Sequence, residues 1–79
     1  MKTSIERVQE NIAALKSGDR LFPRPSGILG WLARANIPHG SRFDIYDTAM
    51  EASARGMVDE VVNDDPDLTT VGYPIYVIR

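Results

Sequence analysis

Six carboxylates stand at spacings that let them act together. Asp44, Asp47 and Glu51 recur three and four residues apart, which on a helix gathers them on one side, and Asp64, Asp65 and Asp67 crowd a short polar stretch around Pro66. Such groups can ligate a cation, move protons, or present negative charge to a basic partner. A calcium loop starting at Asp64 requires Gly at its sixth position and Glu at its twelfth, but Thr69 and Ile75 stand there. The three aspartates therefore read as a solvated turn. Acid-base or nucleophilic catalysis needs a nucleophile, a base and an orienting group. The chain offers one histidine, His39, in a Pro38-His39-Gly40 turn with nothing beside it in sequence to complete a triad. Gly27-Ile28-Leu29-Gly30 lacks the Lys-Ser/Thr ending of a phosphate loop. Cysteine is absent, which excludes disulfides, thiolate chemistry and Cys-based zinc sites. The expectation is a protein that is not an enzyme and that uses neither cofactor nor metal.

The elements that must position these residues follow from local patterns. Ile5, Val8, Ile12 and Leu15 form one helical stripe, Thr3 and Glu6 have capping-box spacing, and Gly18 is a natural stop, so a helix is expected over residues 4–17. Pro23 and Pro25 mark a linker over 18–25, with a short strand possible at Arg20-Leu21-Phe22. A second helix is expected over 26–36, its inner face Ile28, Leu29, Leu32 and Ala35, with Trp31 as a core plug. Pro38 and Gly40 break it. Ser41 and Asp44 repeat the capping spacing and open a third helix over 41–55, ended by Gly56. On this helix Phe43, Tyr46, Ala49, Met50 and Ala54 are assigned inward, and Asp44, Asp47, Thr48, Glu51 and Arg55 outward. Residues 57–78 read as a hairpin with the polar stretch at its tip; in its second strand Val71, Tyr73, Ile75 and Val77 face one way and Gly72, Pro74, Tyr76 and Ile78 the other. Pro74, which has no N–H to donate, predicts an open edge or a bulge.

The order Leu29-Gly30-Trp31-Leu32-Ala33-Arg34-Ala35-Asn36-Ile37-Pro38, a helical run from Ser41, and then Ala54-Arg55-Gly56-Met57-Val58-Asp59-Glu60-Val61 resembles winged-helix domains across about residues 26–79. That resemblance implies a single α+β domain of winged helix-turn-helix type, three helices followed by a C-terminal β-hairpin. It also implies DNA binding, with Arg34, His39, Ser41, Arg42 and Arg55 as contacts. Charge argues against this. The net charge is −2, the nine basic residues are scattered, and Asp44, Asp47 and Glu51 would face the phosphates. The opposite reading makes Asp44, Asp47, Glu51, Asp64, Asp65 and Asp67 an acidic surface that meets a basic protein patch, with ordinary solvated acid as the bland alternative.

Thr69-Thr70-Val71-Gly72-Tyr73-Pro74-Ile75-Tyr76-Val77 resembles the closing segment of some small phage accessory proteins, among them an inhibitor of type I-E CRISPR-Cas. The resemblance implies a phage-encoded inhibitor (an anti-CRISPR) that binds a type I surveillance complex or its nuclease, its carboxylates acting as a DNA mimic. No residue role carries over with it, because the matched segment reads as a strand. The chain starts on a polar periodic pattern and has no apolar run near the roughly 20 residues of a membrane span, so a soluble cytoplasmic protein is expected, and the phage resemblance implies that the cytoplasm is that of a bacterial host. A DNA-binding regulator is the alternative.

Overall fold

The computed structural model describes residues 1–23, 31–62 and 74–79. Two helices pack on one face of a four-stranded antiparallel sheet. The elements are helix α1 (Ser4–Ala14), strands β1 (Arg20–Pro23) and β2 (Trp31–Arg34), helix α2 (Arg42–Ala54), and strands β3 (Val58–Val62) and β4 (Pro74–Ile78). The sheet order is β2-β1-β4-β3, so β2 and β3 are its edges. This is a small α+β fold, and it overturns the expected winged helix-turn-helix of three helices and a C-terminal hairpin.

The decisive correction lies at residues 31–34. Instead of the second half of a helix over 26–36, Trp31-Leu32-Ala33-Arg34 is a strand in register with β1, Phe22 opposite Leu32 and Arg20 opposite Arg34. Residues 24–30, and with them Ile28 and Leu29, lie outside the described residues. Within the linker expected over 18–25, the short strand read at Arg20-Leu21-Phe22 is present as β1, which extends to Pro23. β3 pairs antiparallel with β4, Val58 opposite Ile78 through Val62 opposite Pro74. β4 is an inner strand, but Pro74 is its first residue and pairs with Val62 of β3 only, beyond the Arg20–Val77 and Leu21–Tyr76 pairings with β1, so its missing N–H costs the ladder nothing on the β1 side.

Local chemistry sets the helix ends. The Thr3 hydroxyl accepts from the Glu6 amide while the Glu6 carboxylate accepts from the Thr3 amide. Helix α1 stops at Ala14, three residues before the expected Ser17, where the Asp19 carboxylate takes the Lys16 amide at 2.7 Å and Leu15 turns extended. Helix α2 starts on the Ser41 hydroxyl and ends before Gly56, which takes φ 70°.

Val8 and Ile12 from α1, Ile45, Ala49 and Ala52 from α2, and Leu21 and Ile78 from the sheet form the main core. The other sheet face carries Phe22 and Ile75 with Leu32 and Val77. The inward face of α2 differs from expectation. Asp44, Ile45, Thr48, Ala49 and Ala52 are buried, whereas Phe43 and Tyr46 are exposed. Ile5, assigned to the stripe of α1, is 72 % exposed. No helix among the described residues is long and apolar enough to cross a membrane.

Candidate functional site

The two helices are joined through one buried polar side chain. Asn11, fully buried in the middle of α1, donates through Nδ2 to the His39 carbonyl (2.9 Å) and to Thr48 Oγ1 (3.0 Å), and its Oδ1 accepts from the His39 amide (3.0 Å). The turn before α2 is thereby fastened to α1 by both of its His39 backbone groups. Asn11 lies three residues after Val8 and one before Ile12, so the helical stripe itself places it inward. A buried amide between apolar neighbours was the available signal, and reading only apolar residues misses it.

Asp44 belongs to the same junction. It does not stand on an outward acidic face: it is buried, its Oδ1 lies 3.0 Å from Arg7 Nε, and its Oδ2 accepts from the Ser41 hydroxyl at 2.8 Å. Burial pushes the carboxyl up, but the Ser41 hydrogen bond and the Arg7 guanidinium outweigh it and hold the group below the usual aspartate value. Ser41 is spent as well, since its hydroxyl accepts the Asp44 amide (3.2 Å) while donating to the carboxylate. The His39 ring Nε2 sits 2.7 Å from Glu10 Oε1, and Lys2 reaches the other oxygen of Glu10. Lys2 and then His39 draw the Glu10 carboxyl below its ordinary value. A histidine-carboxylate pair is half of a hydrolytic site, but the neighbouring hydroxyl, Ser41, is occupied as a helix cap. Among the described residues no three His, Cys, Asp or Glu side chains gather to hold a metal.

Arg34, Arg42 and Arg55 do not converge. Arg34 ends β2, whose register puts Trp31 and Ala33 toward the helices and Leu32 and Arg34 on the far sheet face. Arg42 stacks over Phe43, 4.9 Å from the ring centroid. Arg55 bonds Gln9 (2.9 Å) and Glu51 (3.3 Å). Arg34 is thus separated by the sheet from Arg42, Arg55, His39 and Ser41, and the five do not form a single DNA-facing surface.

Of the expected acidic surface, Asp47 and Glu51 come together. They stand on the rim of a groove of about 350 Å³ between α1 and α2, with Ile5, Val8 and Met50 supplying its apolar lining and Ser4 and Gln9 the rest. Asp47 is exposed and Glu51 half-buried. Asp64, Asp65 and Asp67 lie outside the described residues. Comparison with protein-family models, with curated proteins and with solved structures finds no match for the chain.

Proposed function

We propose that the protein is a non-enzymatic inhibitor that acts by stoichiometric binding, taking a basic segment of a host protein into the groove between α1 and α2. The observation that supports this is the exposed Ile5 side chain in a groove rimmed by Asp47 and Glu51. An apolar floor contributes affinity when covered, and carboxylates at its edge select a partner with Lys or Arg beside an apolar anchor and speed its approach. The similarity of the segment from Thr69 to Val77 to the ending of a phage inhibitor of type I-E CRISPR-Cas supports a type I surveillance complex or its nuclease, in the host cytoplasm, as the proposed target. The protein would occupy a surface that otherwise receives DNA.

Titration of the purified protein against a type I-E surveillance complex and, separately, its nuclease tests this reading. Wild type should bind one of them, and Asp47→Lys with Glu51→Lys should weaken binding at least about tenfold, since reversing two rim charges replaces attraction by repulsion. Asp44 is left unchanged because its reversal would set two cations together in a buried junction. Binding unaffected by the double reversal and by Ile5→Asp would remove the groove from the mechanism.

A further inference from the structure

Asp47 and Glu51 of α2 and Arg55 at its C-terminal cap stand four residues apart in turn, so they follow one another along one side of the helix. The two carboxylates are not equivalent. Arg55 donates through Nη2 to Glu51 Oε1 (3.3 Å) and, across the helix pair, to Gln9 Oε1 of α1 (2.9 Å). Glu51 and Gln9 both line the groove. A cation of the chain itself therefore already fills the place these two acceptors make. The Glu51 charge is offset in an acid-first i,i+4 pair, the favourable order on a helix. Asp47 has no such partner. It is exposed, and among the described residues no Lys, Arg or His forms an ion pair with it. Arg55 does not serve it, because two helical turns separate them by about 12 Å along the axis. Asp47 lines the groove together with Ile5, Val8 and Met50, and Ile5 leaves most of its surface uncovered.

We propose that the groove reads one basic residue of its partner, at Asp47, next to one apolar side chain seated on Ile5 and Met50, and that Arg55 withholds the second carboxylate by filling its place from within. The occupant is a partner segment with a Lys or Arg beside an aliphatic side chain: the free carboxylate selects the charge, and the exposed apolar floor selects its neighbour. The inference rests on the groove reading above and narrows it, since the cation is assigned to Asp47 and Arg55 sets the number of cations taken. The Arg55–Glu51 pair is exposed and correspondingly weak, so removing the Arg55 charge releases Glu51 at little cost to the fold. An Arg55 that served only to tie α1 to α2 would leave the cation preference of the groove unchanged when that charge is removed.

The test does not need the host partner. The probe is n-pentylammonium, with n-pentanol as its uncharged match. Both are titrated near neutral pH at constant ionic strength while the Ile5 and Met50 methyl resonances are followed by NMR. The amine should shift both methyls saturably and bind roughly twofold to fivefold more tightly than the alcohol, the range for one exposed ion pair. Asp47→Asn should abolish that preference. Arg55→Gln keeps a hydrogen-bonding side chain beside Gln9 without the charge; it should strengthen amine binding by roughly twofold to threefold and leave the alcohol as it was. Both variants should stay folded by circular dichroism, since both side chains are exposed. No preference for the amine in wild type, a preference that survives Asp47→Asn, an amine affinity that Arg55→Gln leaves unchanged or lowers, or no saturable shift below about 0.1 M would overturn the assignment. If the probe discriminates as stated and no type I-E component is ever bound, the target is lost and the selectivity of the groove stands; if a component binds and the probe does not discriminate, the selectivity alone is lost.

Discussion

Truncation of Asn11 to Ala would remove three hydrogen bonds at once, two to the His39 backbone and one to Thr48. A buried hydrogen bond contributes about 1 kcal/mol net, and the penalty rises when its partner is left without a substitute. The His39 amide and carbonyl belong to a turn pinned by the lost side chain, so the expected cost is about 3 kcal/mol. A 79-residue domain holds roughly 4–12 kcal/mol in total, and a loss of this size should lower the melting temperature by roughly 12–24 °C. Urea denaturation followed by circular dichroism reads the cost directly, with an unchanged slope confirming that the denatured state is not what moved. Thr48→Val supplies an internal scale, since it removes one of the three bonds and should cost about 1 kcal/mol. A loss below about 1 kcal/mol for Asn11→Ala, or a loss no greater than that of Thr48→Val, would refute the claim that this amide fastens the α2 turn to α1.

Three further outcomes follow from the same structure. Ile12→Asp should unfold much of the domain, because it buries an unpaired carboxylate in the main core, whereas Ile5→Asp should melt within a few degrees of wild type; similar melting of both would contradict the burial assigned to α1. Asp44, whose folded value is depressed, contributes stability that is present above the unfolded aspartate value near 3.8 and lost as pH falls through the still lower folded value. Asp44→Asn should therefore cost about 1.5–3 kcal/mol at pH 7 and flatten the stability profile below about pH 4; an unchanged acid limb would show that the Arg7–Asp44 contact is not formed in solution. Because Arg34 is set apart from Arg42 and Arg55 by the sheet, random duplex DNA should give no mobility shift at moderate salt, and tight, salt-sensitive binding lost in Arg42→Ala with Arg55→Ala would reverse the functional reading.

What the sequence determined by itself is what is decided within about four residues. The Thr3–Glu6 capping box, the Ser41 cap and the Gly56 stop are short-range hydrogen bonds and backbone preferences, so both helices were legible at their starts and α2 at its end. The opposition of Tyr76 and Ile78 to Ile75 and Val77 was legible for the same reason, since a strand alternates by geometry. Tertiary structure decided the rest. Trp31-Leu32-Ala33-Arg34 suits a helix locally and becomes a strand because β1 offers it a ladder. Helix α2 carries apolar residues all round, so its own pattern does not select a buried face; contact with α1 and β2 turns Ile45, Ala49 and Ala52 inward and leaves Phe43 and Tyr46 outside. Asp44 left the acidic surface for a partner 37 positions away, and Asp47 and Glu51 acquired a groove only when Ile5 and Met50 came beside them. Charge and spacing state which groups a chain carries; which of them keep their charge free for a partner depends on long-range pairing, where a buried carboxylate must find its cation or stay out of the core.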